Sequence, residues 1–195
     1  MVKVNLGAKH YLFPQPAVIA GINVEGKPNY MTVAWCGIMQ GDPAIIYVSV
    51  RKVRYSLTGI KENRSFSVNV PSTQQVAVTD FIGTKSGARI DKSVVFKSFY
   101  GELKTAPMIE ECPINMECRL IDILDYKGTH EICVGEIVQT FADESCLTDG
   151  IPDMIKVDPI VFSTGFGRYF KTGDVIAKAF DVYREYEYPE NGNHS

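Results

Sequence analysis

Short apolar runs separated by turn residues fill the first quarter of the chain. Residues 17–24, 30–39 and 44–50 are rich in β-branched and aromatic side chains, and the segments EGKP and GDP separate them. Runs of this length bounded by Gly, Pro and Asp are typical of strands. The pattern predicts three strands that form an antiparallel meander.

The segments that follow predict two short helices around one strand. Residues 55–63 are helix-like, and residues 65–70 alternate polar and apolar side chains as a half-buried strand does. Ser72 and Gln75 have the spacing of a capping box, in which each residue binds the other's backbone amide. We therefore predict a second helix that starts after Ser72 and that Gly83 ends.

The second half of the chain predicts further strands without a regular alternation of strands and helices. Residues 115–124 and 131–141 are long strand candidates around the turn segment YKG, and residues 160–164 form another. No GxGxxG sequence follows a strand and no GxxxxGK[ST] sequence occurs, which argues against dinucleotide-binding and P-loop folds. A mainly β fold fits best, a closed or split antiparallel barrel with a few short helices.

Composition and charge exclude several classes of protein. Of the 195 residues, 45% are apolar, which is enough to form a hydrophobic core. The net charge of −3 gives no electrostatic reason to expect nucleic acid as a partner. No apolar run approaches the ~20 residues that cross a bilayer, and the N-terminus lacks the apolar core of a signal peptide. Five cysteines without a CxxC pair and three histidines make disulfides and a metal site improbable. We expect a cytoplasmic protein without membrane contact.

The segment IIYVSVRKVRYSLTGI joins an apolar strand to a concentration of cations and hydroxyl groups. Arg51, Lys52 and Arg54 come just before a predicted helix that starts near Tyr55 and Ser56, and unpaired amides at a helix N-terminus attract anions. Strand alternation predicts that Arg51 points one way while Lys52 and Arg54 point the other. The alternative is a solvated turn, since charge runs usually mark surface.

The preceding segment NYMTVAWCGIMQ offers a place for a flat cofactor ring. This segment contains a hydroxyl group, several small residues and Trp35, so its backbone amides can be accessible to a ligand. Such amides can form hydrogen bonds with the polar edges of an apolar ring. The alternative is an ordinary barrel strand whose Trp35 lies in the core.

Several short motifs, taken in order, resemble one family. They are Asn29 with Met31-Thr32 ahead of Trp35, the segments SVRKVRYS, NVPS and SGARIDKS, and later DESCLTDGIPD and GFGRYFKTGDVIAKAF. Over roughly residues 6–180 this order is similar to the flavin reductase-like family of split barrels that bind flavin mononucleotide (FMN), and most similar to the flavoredoxins. The resemblance implies one Greek-key split-barrel domain over residues 1–182 and a polar tail over residues 183–195. It also implies a homodimer with FMN at or near the interface.

The resemblance also implies which residues meet the cofactor. The phosphate would lie against Arg51, Lys52, Arg54, Tyr55 and Ser56. The ring and ribityl chain would lie along the strand residues Asn29, Met31, Thr32, Val33, Ala34, Trp35 and Cys36. Lys92 would approach the flavin from the polar loop, and Tyr169 from the C-terminal segment, either within the chain or across the dimer.

Three of these residues have competing interpretations. A lysine in a polar loop such as Lys92 is more often solvated, and Tyr169 between Phe166 and Phe170 is more often packed in a core or interface. Cys36 is not expected to act as a redox thiol, because a free cysteine usually behaves as a small hydrophobe and no resolving partner is identifiable.

The function implied is electron transfer through bound FMN, with no catalytic side chain required. An FMN-dependent oxidoreductase would take electrons from NADH or NADPH and pass them to free flavin, ferric iron or another acceptor. Ala34-Trp35 replaces a Ser-rich stretch of many flavin reductases that release reduced flavin, which favours a protein that keeps its FMN. Two alternatives stay open: a carrier between redox proteins that does not use nicotinamide, and a non-redox domain that binds another phosphate or nothing.

Overall fold

The computed structural model describes residues 1–186 of the chain. In chain order the strands are β1 Gln15–Pro16, β2 Val18–Val24, β3 Lys27–Val33, β4 Cys36–Gly41, β5 Ala44–Arg51, β6 Ser65–Val70, β7 Ser98–Phe99, β8 Met108–Ile109, β9 Ile114–Leu124, β10 His130–Ala142, β11 Leu147–Thr148, β12 Ile151–Pro152, β13 Val161–Ser163 and β14 Arg168–Phe170. The α-helices are α1 Ser56–Asn63, α2 Val76–Thr84 and α3 Met154–Val157, and single 3₁₀ turns occur at Thr73–Gln75, Glu144–Cys146 and Val182–Glu185. None of the helices in this part of the chain has the length and apolar character needed to cross a membrane.

One antiparallel sheet of seven strands, in the order β3-β2-β6-β9-β10-β5-β4, carries the core. Strand β2 is buried along its whole length, and Phe66 on β6 and Val48 on β5 lie against the same apolar cluster. Burying these side chains together is the main favourable contribution to folding. The sheet curls around this core, which confirms the predicted mainly β split barrel with a few short helices.

The barrel is open because its two edge strands, β3 and β4, do not pair with each other. Ala34 and Trp35 separate β3 from β4, and these two strands lie at opposite ends of the sheet order. Both antiparallel pairings of the predicted meander are confirmed, since β3 pairs with β2 and β4 pairs with β5, but the middle strand predicted over residues 30–39 is broken at a corner between β3 and β4. A single backbone hydrogen bond of 2.8 Å, from the Ser49 amide to the Trp35 carbonyl, ties the corner to β5.

Both predicted helices are present, with one change. The capping box of Ser72 and Gln75 is confirmed, and it starts a 3₁₀ turn that leads into α2. Gly83 does not end this helix, which continues to Thr84. A Cβ atom at Gly83 would lie 3.0 Å from the Cβ atom of Thr32, so the glycine allows α2 to approach β3 closely.

A separate small sheet has three strands in the order β1-β13-β14. Residues 160–164 were predicted as a strand, but β1 and β14 are two and three residues long and carry no periodic signal. Residues 187–195, most of the predicted polar tail, lie outside the described residues, and the domain boundary at residue 182 stays a prediction.

Candidate functional site

The end of strand β5 turns so that two of the three adjacent cations share one cavity. The Arg54 amide donates to the Arg51 carbonyl over 2.9 Å, and the two side chains line the same cavity. Lys52 lies elsewhere and forms an ion pair of 2.9 Å with Asp125. Strict strand alternation is wrong here, because β5 ends at Arg51 and the following residues form a turn.

The N-terminus of α1 faces the same cavity and has no side-chain cap. Leu57 and Thr58 donate their amides to the carbonyls of Arg54 and Tyr55. Within residues 1–186, the amides of Tyr55 and Ser56 have no hydrogen-bond partner. The Ser56 hydroxyl accepts a bond of 2.8 Å from the Asn29 side chain and keeps its own proton for a ligand.

This cationic cavity has a volume of about 450 Å³. Its charged lining consists of Arg51, Arg54, Lys85 and Lys92, and no carboxylate of the described residues lines it. Four cations around uncapped helix amides create a positive potential that only a bound anion would neutralise.

Lys92 is buried, not solvated, at the inner wall of the cationic cavity. Its side chain is 4% exposed, and its ammonium group donates to the carbonyls of Tyr30 and Ile82 over 2.8 Å each. Burial, together with the weaker effect of the positive charge of Arg54, lowers the pKa of Lys92 to about 8. A negative charge in the cavity would favour the protonated amine.

The loop after α2 contributes lining residues that sequence reasoning did not assign. Lys85 and Ser86 line the cationic cavity, and Gly87 lies over the Asn29 side chain. A Cβ atom at Gly87 would lie 2.0 Å from the Asn29 Oδ1 atom, so only glycine fits. The polar, glycine-containing segment GTKSG was the available signal, but a sequence does not show which strand such a loop meets.

A second cavity of about 210 Å³, the aromatic cavity, adjoins the cationic cavity and shares Arg51 and Arg54 with it. Its lining is Met31, Thr32, Val33, Ala34, Trp35, Ser49, Val50, Arg51, Arg54, His130, Phe162 and Thr164. The Thr164 hydroxyl is buried and has no hydrogen-bond partner among the described residues, so it can serve a ligand.

Trp35 is half-buried in this cavity and does not belong to the core. Its ring lies 4.7 Å from the His130 ring and 5.1 Å from the His10 ring, measured between centroids. Burial lowers the pKa of His130, and the neighbouring positive charge of Arg51 adds to this effect, so both favour the neutral imidazole. Sequence reasoning had not assigned either histidine to the site.

Besides Lys52, three of the expected cofactor residues do not line either of these two cavities. Asn29 is buried behind Ser56 and Gly87, which line the cationic cavity, and it donates a hydrogen bond to the Ser56 hydroxyl. Cys36 packs against the core, and burial raises the pKa of its thiol to about 11, so the thiolate is scarce at neutral pH. The Tyr169 hydroxyl donates to the Asp80 carboxylate over 2.9 Å in a separate side cavity. Burial and Asp80 raise the pKa of Tyr169 to about 12.

Metal chemistry finds no support in the described residues. Within residues 1–186, no group of three or more His, Cys, Asp or Glu side chains is arranged to hold a metal ion.

Comparison with known proteins identifies the family. The model of the flavin reductase like domain matches residues 10–165. The solved flavoredoxin from Methanosarcina acetivorans is 38% identical with a TM-score of 0.92, and the match covers 95% of this chain and 99% of that one. The flavoredoxin of Desulfovibrio vulgaris (Miyazaki F) is 36% identical with a TM-score of 0.86, covering 93% and 99%.

A relative from Archaeoglobus fulgidus, itself an uncharacterized protein, is 32% identical over 164 residues. The match covers 83% of this chain and 90% of the relative. With the family model matched over most of its length, the chain belongs to the flavin reductase-like family, and its fold is of the flavoredoxin type.

Proposed function

We propose that the cationic cavity holds the phosphate of FMN. The observation that carries this proposal is the set of four cations, without any carboxylate among the described residues, around the uncapped N-terminus of α1. Arg51 and Arg54 can donate paired hydrogen bonds to phosphate oxygens, and Ser56 can add its hydroxyl. The free amides of Tyr55 and Ser56 complete the donor set.

The flavin ring would then occupy the aromatic cavity. The backbone of Thr32, Val33 and Ala34 would meet its polar edges, Trp35 would supply an aromatic contact, and the unpartnered Thr164 hydroxyl would gain a partner. The cavity's composition fits a flat ring with polar edges, because most of its walls are apolar while these groups remain available. Bound FMN supplies the hydride or electron chemistry, and the chain binds, orients and shields it.

The proposed activity is electron transfer of the flavoredoxin type. In this activity the chain's own residues exclude water from the ring and fix its position, and none needs to act as acid, base or nucleophile. The high pKa of Cys36 is consistent with this, since a protonated thiol is a poor redox group.

Two electron donors remain candidates, and one experiment separates them. If the protein is an oxidoreductase that uses NADH or NADPH, either nucleotide will bleach the flavin absorbance rapidly in the absence of air. If it is a carrier between redox proteins, bleaching by nicotinamide will be slow and a reduced ferredoxin will bleach it quickly. A colourless protein that takes up no FMN would refute both versions.

We also propose that two copies of the chain associate. Ile176 and Phe180 in the C-terminal arm, residues 171–186, are 99% and 96% exposed. Residues 172–177 form no hydrogen bond with the rest of residues 1–186. Apolar side chains in an arm that the rest of residues 1–186 does not cover favour another surface that covers them. The full chain should sediment as a dimer, and removal of residues 174–195 should weaken the dimer; a monomeric full chain would contradict the proposal.

A further inference from the structure

A side cavity of about 390 Å³ opens beside the two cavities assigned to FMN. It shares Thr32, Ala34 and Phe162 with the aromatic cavity, and α2 and β14 form its outer walls. A ligand in this cavity would therefore lie next to the flavin without displacing it.

The side cavity combines a carboxylate with two aromatic side chains. Asp80 is exposed, accepts the hydrogen bond from Tyr169, and forms no ion pair with a cation of the described chain. The rings of Phe162 and Tyr169 are 5.4 Å apart at an angle of 46°. Arg54 also lines the cavity, but the proposed function assigns its charge to the FMN phosphate. With Arg54 neutralised in this way, the charge that remains in the side cavity is the negative charge of Asp80.

We infer that the side cavity binds a planar aromatic cation beside the flavin. A carboxylate attracts such a ring by its charge, and the faces of aromatic side chains attract it through their quadrupoles. Both contributions disappear for a neutral ring of the same shape. The inference relies on the proposed function in one respect, since it requires that the phosphate neutralise Arg54.

The experiment compares methyl viologen with 4,4′-bipyridine, the same pair of rings without the positive charges. Calorimetric titration of the protein as purified, at slightly alkaline pH, should show the cation binding at least about fivefold more tightly, the scale expected for one exposed ion pair with a cation–π contact. The Asp80→Asn variant keeps an acceptor for Tyr169 and removes the charge, so it should bind the two compounds about equally. The Asp149→Asn variant, which removes a carboxylate from the turn between β11 and β12, should keep the preference.

Three results would overturn the inference: no binding of the viologen, equal binding of both compounds by the unaltered protein, or a preference that survives in Asp80→Asn. The flavin content of each sample, read from its absorbance, reports on the proposed function separately. A protein that takes up no added FMN yet prefers the viologen would refute the FMN assignment, and it would show that cation binding in the side cavity does not need a phosphate to neutralise Arg54.

Discussion

Replacing Arg54 by Ala tests the role of the cationic cavity most sharply. Arg54 lines the cationic, aromatic and side cavities, so its guanidinium lies where the phosphate and the ring of FMN would meet. Lys52 provides a matched control two residues away. The Lys52→Ala variant removes the same formal charge, but its ammonium group is bonded to Asp125 outside these cavities.

The structure gives the expected size of both effects. A hydrogen bond to a charged group is worth roughly 1.5–3 kcal/mol, so loss of one such bond at Arg54 weakens FMN binding about 10- to 150-fold. Three cations would remain in the cavity, so binding should persist at the weaker level. An exposed ion pair such as Lys52–Asp125 contributes about 0–1 kcal/mol, and its loss should change FMN affinity by less than about fivefold.

The assay is a titration of FMN-free protein with FMN, followed by flavin fluorescence, at low and high salt. Screening should reduce the effect of a missing charge but not that of a missing direct contact. Equal affinities of Arg54→Ala and the unaltered protein would refute the phosphate assignment. Equal losses in Arg54→Ala and Lys52→Ala would show that only net charge matters.

Three further predictions follow from the same contacts. FMN affinity should fall as pH rises above about 8, because Lys92 loses its proton there in the absence of FMN and binding must restore that proton. In the Lys92→Met variant, FMN affinity should change less with pH over this range. Ser56→Ala removes the acceptor of the buried Asn29 amide, so it should lower the free energy of unfolding by about 1–3 kcal/mol, as measured by urea denaturation. Unchanged stability would contradict this hydrogen bond. Gly87→Ala should weaken FMN binding because its Cβ atom meets Asn29, while Gly128→Ala, which meets nothing within 4 Å, should leave the affinity unchanged.

The strands and helices were largely predictable because their signals are local. The buried strand at residues 17–24, the alternation at residues 65–70 and the capping box at Ser72 each depend on neighbouring residues. The corner at Trp35 was not predictable, because β-branched and aromatic residues continue on both sides of it. Only the pairing of β4 with β5 shows where the strand breaks.

The candidate site was predictable in its chemistry and less so in its geometry. The sequence shows a concentration of cations before α1, but the direction of Lys52 depends on a turn whose form the sequence does not specify. The approach of Lys85 and the pairing of Asp80 with Tyr169 join segments far apart in the chain. Contacts of this kind arise from tertiary packing and leave no periodic pattern in the sequence.

The central claim is that the cationic cavity binds the phosphate group of FMN. Riboflavin has the same ring and ribityl chain but lacks this phosphate. The direct measurement is therefore a comparison of FMN and riboflavin affinities for the FMN-free protein under identical conditions. Several charge-assisted hydrogen bonds to the phosphate predict that FMN binds at least about 100-fold more tightly. Equal affinities would contradict the account, because the pocket at the start of α1 would then contribute nothing to binding.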